Sequence, residues 1–136
     1  MQPDHAFNPT QLETRMRNLT WLVAVVLTGL PGASTAQSEA ISPSQIQQAW
    51  VGKTLLGQAA SGAPVTMKLL ADGSAQLSAG RTSDNGSWRL SDTGYCTTWN
   101  TIRAGQERCF SASKTGDRIT VLNPDGSVSG YFTEIR

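Results

Sequence analysis

The chain has 136 residues, 38% hydrophobic and 15% charged, with a formal net charge of +1. Charge this close to balance and scattered along the sequence gives no electrostatic footing for nucleic acid or an anionic membrane surface. A single histidine, His5, and two cysteines, Cys96 and Cys109, leave little material for a metal centre.

The first element is Arg15-Met16-Arg17-Asn18, then the apolar run Leu19 to Leu30, then Pro31-Gly32-Ala33-Ser34-Thr35-Ala36-Gln37. A basic start, a short apolar core and small residues at Ser34 and Ala36 predict a signal peptide over residues 1–36, cleaved after Ala36. The polar stretch before it, with Pro3 and Pro9, is unlike an export signal and makes Met16 a candidate initiator. A membrane anchor needs about 20 apolar residues, whereas this run has 12, broken by Thr20, Thr28 and Gly29. The expected location is therefore periplasmic or secreted, with no membrane insertion after cleavage.

Cleavage leaves 100 residues, room for one domain, with nine basic and eight acidic side chains. It also removes His5, so the mature chain lacks the commonest general base, the commonest metal ligand and any Ser–His or Cys–His pair. The expectation is a protein with no catalytic residues, no metal and no cofactor.

Residues 37–41 read as a linker. Ser42 then offers a helix cap, Pro43 suits the first helical position and Gln45 completes a capping box. The helix is expected to end near Trp50 or Val51, before Gly52, with Ile46, Ala49 and Trp50 as its buried stripe. From Lys53 the period shifts to two. Val65, Met67 and Leu69, then Ala75, Leu77 and Ala79, then Trp88 and Leu90, occupy one face of successive runs. Turns are expected at Ala71-Asp72-Gly73, Ser83-Asp84-Asn85-Gly86, Asp92-Thr93-Gly94, Arg103-Ala104-Gly105, Lys114-Thr115-Gly116-Asp117 and Asn123-Pro124-Asp125-Gly126.

Eight short runs joined by tight turns predict an all-β fold over residues 42–136. The expected form is an antiparallel meander that closes into an eight-stranded calycin-like barrel, with the short N-terminal helix over one opening. A two-sheet sandwich is the alternative. Strands of six or seven residues span about 20 Å, so the barrel should be filled mostly by its own side chains, with at most a small cavity.

Cys96 and Cys109 flank Arg103-Ala104-Gly105 almost symmetrically, which places them side by side on one hairpin. In an exported chain they should form a disulfide, whose loop of about 14 residues contributes roughly 3 kcal/mol in the chain-entropy model. The same hairpin carries the candidate binding residues Tyr95, Trp99, Arg103 and Arg108. These are residue types common in recognition hot spots; the competing reading makes Tyr95 and Trp99 core and the arginines solvated. Asp72-Gly73, Asp84-Asn85-Gly86 and Asp125-Gly126 lack the ligand spacing of a calcium loop and read as turns. Glu107 and Glu134 remain the carboxylates that sequence alone does not assign.

Gly52-Lys53-Thr54, Ala71-Asp72-Gly73, Gly86-Ser87-Trp88, Cys96-Thr97-Thr98-Trp99 and Arg108-Cys109-Phe110 together resemble a family of small exported proteobacterial proteins, domain-of-unknown-function family 995. The resemblance covers most of residues 50 to 132 and implies export and a β fold, but no activity. A looser similarity links Val121 to Phe132 to the final hairpin of periplasmic metalloprotease inhibitors, small disulfide-containing barrels whose N-terminal segment enters the enzyme cleft. Here Trp50-Val51-Gly52 departs from the order seen there, and both cysteines lie in one hairpin. Four functions compete: a non-enzymatic module binding a protein or envelope component, an inhibitor of a protease or lysozyme, a small-ligand carrier, and, disfavoured by the absence of imidazole, an enzyme using carboxylates alone. A continuous apolar cavity would favour the carrier.

Overall fold

The computed structural model describes Gly29 and residues 37–136. The signal peptide expected over 1–36 and the candidate initiator Met16 lie outside the described residues.

Residues 37–41 hold a short strand, β1 (Glu39–Ala40), where a linker is expected. The helix α1 (Pro43–Ala49) follows, capped as its sequence predicts: Ser42 Oγ accepts from the Gln45 amide at 3.1 Å, and Gln45 Oε1 accepts from the Ser42 amide at 2.7 Å. Eight longer strands come next: β2 (Thr54–Ala59), β3 (Pro64–Leu69), β4 (Ser74–Ala79), β5 (Thr82–Leu90), β6 (Gly94–Trp99), β7 (Arg108–Thr115), β8 (Arg118–Leu122) and β9 (Val128–Ile135). Each pairs antiparallel with its sequence neighbour, and β2 pairs with β9 to close an eight-stranded barrel.

The ladders explain where β1 goes. One edge of β7 is paired to β6 only over Arg108–Ser111, while its other edge pairs with β8 over Ser111–Thr115. The remainder of the first edge would present unpaired backbone groups. There β1 sets Glu39 against Lys114 and Ala40 against Ser113, and the Ile41 amide donates to Ala112 O at 2.9 Å.

Inward positions recur with period two on every strand. Leu55, Met67, Leu69, Tyr95, Val121 and Phe132 are buried and form the core with residues from α1. Of the expected helical stripe, Ile46 and Trp50 are fully buried but Ala49 is exposed, because seven helical residues present only one turn to the barrel. Trp50, 1% exposed, meets Tyr95 and Phe132 edge-on at 5.5 and 6.1 Å between centroids. It thus plugs one end of the barrel, and a Gly52 amide bond to Leu69 O at 2.8 Å leads the chain into β2.

One expected turn is absent. Ser83-Asp84-Asn85-Gly86 lies inside β5, and the chain reverses instead at Gly80-Arg81, where Gly80 has φ +61°. Gly86 serves close strand approach: a Cβ there would stand 2.0 Å from Thr98 O and 2.9 Å from Trp99 Cα. Asp84 pairs in register with Leu77 and so takes the inward parity, 8% exposed.

Candidate functional site

At the end of the barrel away from Trp50 the interior is incompletely filled. A cavity of about 170 Å³ is lined by Val65, Met67, Leu77, Trp99, Val121 and Phe132, with Thr97 and Phe110 on the β6–β7 side. Strand β6 supplies the wall through alternate residues Tyr95, Thr97 and Trp99, all buried. Val65, Leu77 and Phe110 point inward yet are only half-buried.

The connection from β6 to β7 crosses this end. It contains a 3₁₀ turn, Ile102–Gly105, in which Arg103 (φ 58°, ψ 30°) and Ala104 (φ 53°, ψ 33°) both adopt the left-handed conformation. Non-glycine residues there carry strain on the order of 1–2 kcal/mol each, and two in succession need an external hold. Asp84 supplies it. Its Oδ2 accepts from the Thr101 amide (2.8 Å), the Thr101 hydroxyl (2.9 Å) and the Ile102 amide (2.9 Å), while Oδ1 accepts from the Asn85 amide (2.8 Å). The Ile102 and Thr101 amides are the main reason its pKa falls to about 2.

Arg103 turns its side chain back onto the barrel wall. Nη2 donates to Thr97 Oγ1 at 2.8 Å, and Cζ lies 5.4 Å from the Phe110 ring centroid, within cation–π range. Nη1 is buried and has no acceptor among the described residues. Burial first, then repulsion from Arg108, lowers the guanidinium pKa, with Tyr95 opposing; burial raises the Tyr95 phenol despite the Arg103 charge. The group stays cationic in any case.

Comparison of the chain with protein-family models, curated proteins and solved structures returns no match.

Of the candidate residues, Tyr95 (3% exposed) and Trp99 (4% exposed) belong to the barrel interior and offer no outer binding face. Arg103 is half-buried, and Arg108, opposite Thr97 in register, is exposed at the start of β7. Cys96 and Cys109 are directly opposite in register and joined by a disulfide. Outside the bridge, Glu107 binds Arg89 through two hydrogen bonds of 2.8 and 2.9 Å. Cys96, Glu107 and Cys109 come within 4.8 Å of one another, but both sulfurs are committed to the bridge and the carboxylate to Arg89. Glu134 pairs with Arg136 on the surface.

Asp72 and Asp125 are turn formers: each accepts from the amide and the hydroxyl of the serine two residues on, Ser74 and Ser127. Two larger grooves lie on the barrel exterior. One, near 300 Å³, runs beside Thr66, Lys68 and Gln76; the other, near 450 Å³, lies beside Gln58 and Tyr131, where Arg118 stacks 3.4 Å from the Tyr131 centroid. Their walls are mainly outward side chains of the strands, and neither encloses an apolar space. Sequence reasoning missed Asp84, although its even spacing with Gly86, Trp88 and Leu90 gives it their face.

Proposed function

We propose that the protein is an exported, non-enzymatic binding module of the carrier kind, taking a small, largely apolar ligand into the open end of its barrel. The cavity carries this reading. Protein interiors seldom keep voids larger than a water molecule, and an apolar void of about 150 Å³ suffices to bind benzene. The apolar concavity of about 170 Å³ at the open end of this barrel matches that size.

Other features support the reading. The cavity wall has no carboxylate, imidazole or thiol among the described residues. The segment from Glu39 to Trp50 is tied to the barrel through β1, α1 and the Trp50 plug, which favours the mouth over the N-terminal arm as the recognition surface. The disulfide fits an oxidising compartment, and among the described residues no helix is long and apolar enough to cross a membrane.

Titration of the oxidised protein with toluene, followed by ¹³C-methyl NMR, tests the proposal. Saturable shifts are expected at Met67, Leu77 and Val121 and not at the exposed Ile135. Absence of any saturable shift up to the solubility limit of toluene would remove the carrier reading.

A further inference from the structure

We propose that Arg103 is an anion receptor at the cavity mouth and that the ligand is a small apolar carboxylate, its hydrocarbon inside the barrel and its carboxylate on the guanidinium. This rests on the reading of the cavity as the binding site and adds the chemical class of the occupant.

Placement comes first. Arg103 is not itself a lining residue, but its guanidinium rests on two that are, donating to Thr97 Oγ1 and lying over the Phe110 ring. A ligand that reaches Thr97 and Phe110 therefore comes next to the guanidinium at the β6–β7 side of the wall. The second observation is the buried Nη1 without an acceptor among the described residues. Buried donors are nearly always satisfied, and a charged one left unsatisfied carries a full desolvation penalty.

The charge count points the same way. The ion pairs among the described residues are Arg89–Glu107 and Arg136–Glu134, so Arg103 has no carboxylate of its own. Its charged neighbour is Arg108, of the same sign. The mouth thus holds two cations where an incoming anion would be attracted, and a guanidinium matches the two oxygens of a carboxylate better than any neutral head group. Backbone strain at Arg103 and Ala104, held by the buried Asp84 carboxylate, is the fourth observation. Strain of this kind persists where the surrounding structure enforces it and concentrates at ligand sites. Here it returns the arginine side chain to the wall instead of leaving it in solvent.

Size guides the choice of tail. A cavity of about 170 Å³ holds on the order of six to eight non-hydrogen atoms by comparison with the benzene-sized void, so hexanoate is a suitable probe.

The test compares hexanoate with hexanol, and toluene as a neutral cavity probe, by calorimetry and methyl NMR on the oxidised protein and on Arg103→Gln and Arg103→Gly. Hexanoate is expected to bind at least about tenfold more tightly than hexanol, a ratio corresponding to one charge-assisted hydrogen bond. Both variants should abolish that preference while toluene binding survives. Arg103→Gly relieves the left-handed strain, so it should melt no lower than the parent; lost hexanoate preference in a fully folded variant separates recognition from folding. Equal affinity for hexanoate and hexanol, or a preference that persists in both variants, overturns the assignment of Arg103 and leaves the carrier reading standing. Failure of toluene as well as hexanoate removes both.

Discussion

Replacing Trp50 by alanine should destabilise the protein far more than the same change at Trp88, although both tryptophans were expected in the core from sequence. Trp50 is 1% exposed and makes two edge-to-face contacts, with Tyr95 and Phe132. A buried indole of about 200 Å² corresponds to roughly 5 kcal/mol of transfer free energy at ~25 cal/mol per Å². Taking that as an upper bound, since the unfolded chain already buries part of the area, and allowing for the retained Cβ, the loss is about 3–5 kcal/mol, as in other large-to-small core changes. Trp88 is half-buried, and its Nε1 donates to Leu70 O at 2.7 Å. Its removal forfeits a smaller apolar area and one hydrogen bond, and solvent can replace the donor at the carbonyl, so about 2 kcal/mol is expected. Urea unfolding of the oxidised proteins, monitored by far-ultraviolet circular dichroism, reads both values through midpoint and slope. A loss below about 1 kcal/mol for Trp50→Ala, or an equal or larger loss for Trp88→Ala, would refute the assignment of Trp50 as the barrel's plug.

Replacing both Cys96 and Cys109 by alanine should lower stability by roughly 3 kcal/mol for the loop it opens, and intact mass after alkylation should show no free thiol in the folded parent. Asp84 has its folded pKa lowered from 3.8 to about 2, so its contribution is complete above the unfolded pKa and is lost as pH falls from about 4 through about 2; Asp84→Asn should flatten the dependence of melting temperature on pH in that window, and an unchanged slope would contradict the hydrogen-bonded arrangement. Gly86→Ala should strongly destabilise or prevent folding, because the added carbon meets Thr98 O at 2.0 Å; a variant that melts within a few degrees of the parent would show that β5 and β6 are not so closely apposed.

The barrel was largely legible because period-two patterning and glycine turns act locally. Ser42, Pro43 and Gln45 define the helix start by chemistry confined to four residues, and the alternation of Val65, Met67 and Leu69 fixes which face of β3 is inside. Two features escaped for opposite reasons. The short β1 has no hydrophobic pattern of its own and forms only because part of the β7 edge is left unpaired. Asp84-Asn85-Gly86 carries strong turn chemistry, yet tertiary contacts override it: Gly86 admits the close approach of β6, and the Asp84 carboxylate finds four donors, three of them seventeen or eighteen residues away.

The site follows from the same parity that the disulfide sets. Because Cys96 and Cys109 face each other beneath the outer Arg89–Glu107 pair, Tyr95, Thr97 and Trp99 take the opposite face and enter the barrel. The stapled hairpin therefore turns its aromatic residues into the barrel wall, with Arg103 set against that wall. What sequence could not supply is the conformation of Arg103. Arginine and alanine have no preference for the left-handed region, so nothing in Arg103-Ala104-Gly105 announces two such residues in succession; they are held by an aspartate on another strand. In this arrangement Asp84 positions the loop, the loop aims Arg103, and Arg103 sits against the cavity wall at Thr97 and Phe110. Loss of Asp84 should accordingly weaken hexanoate binding as well as stability above about pH 4, although Asp84 does not line the cavity.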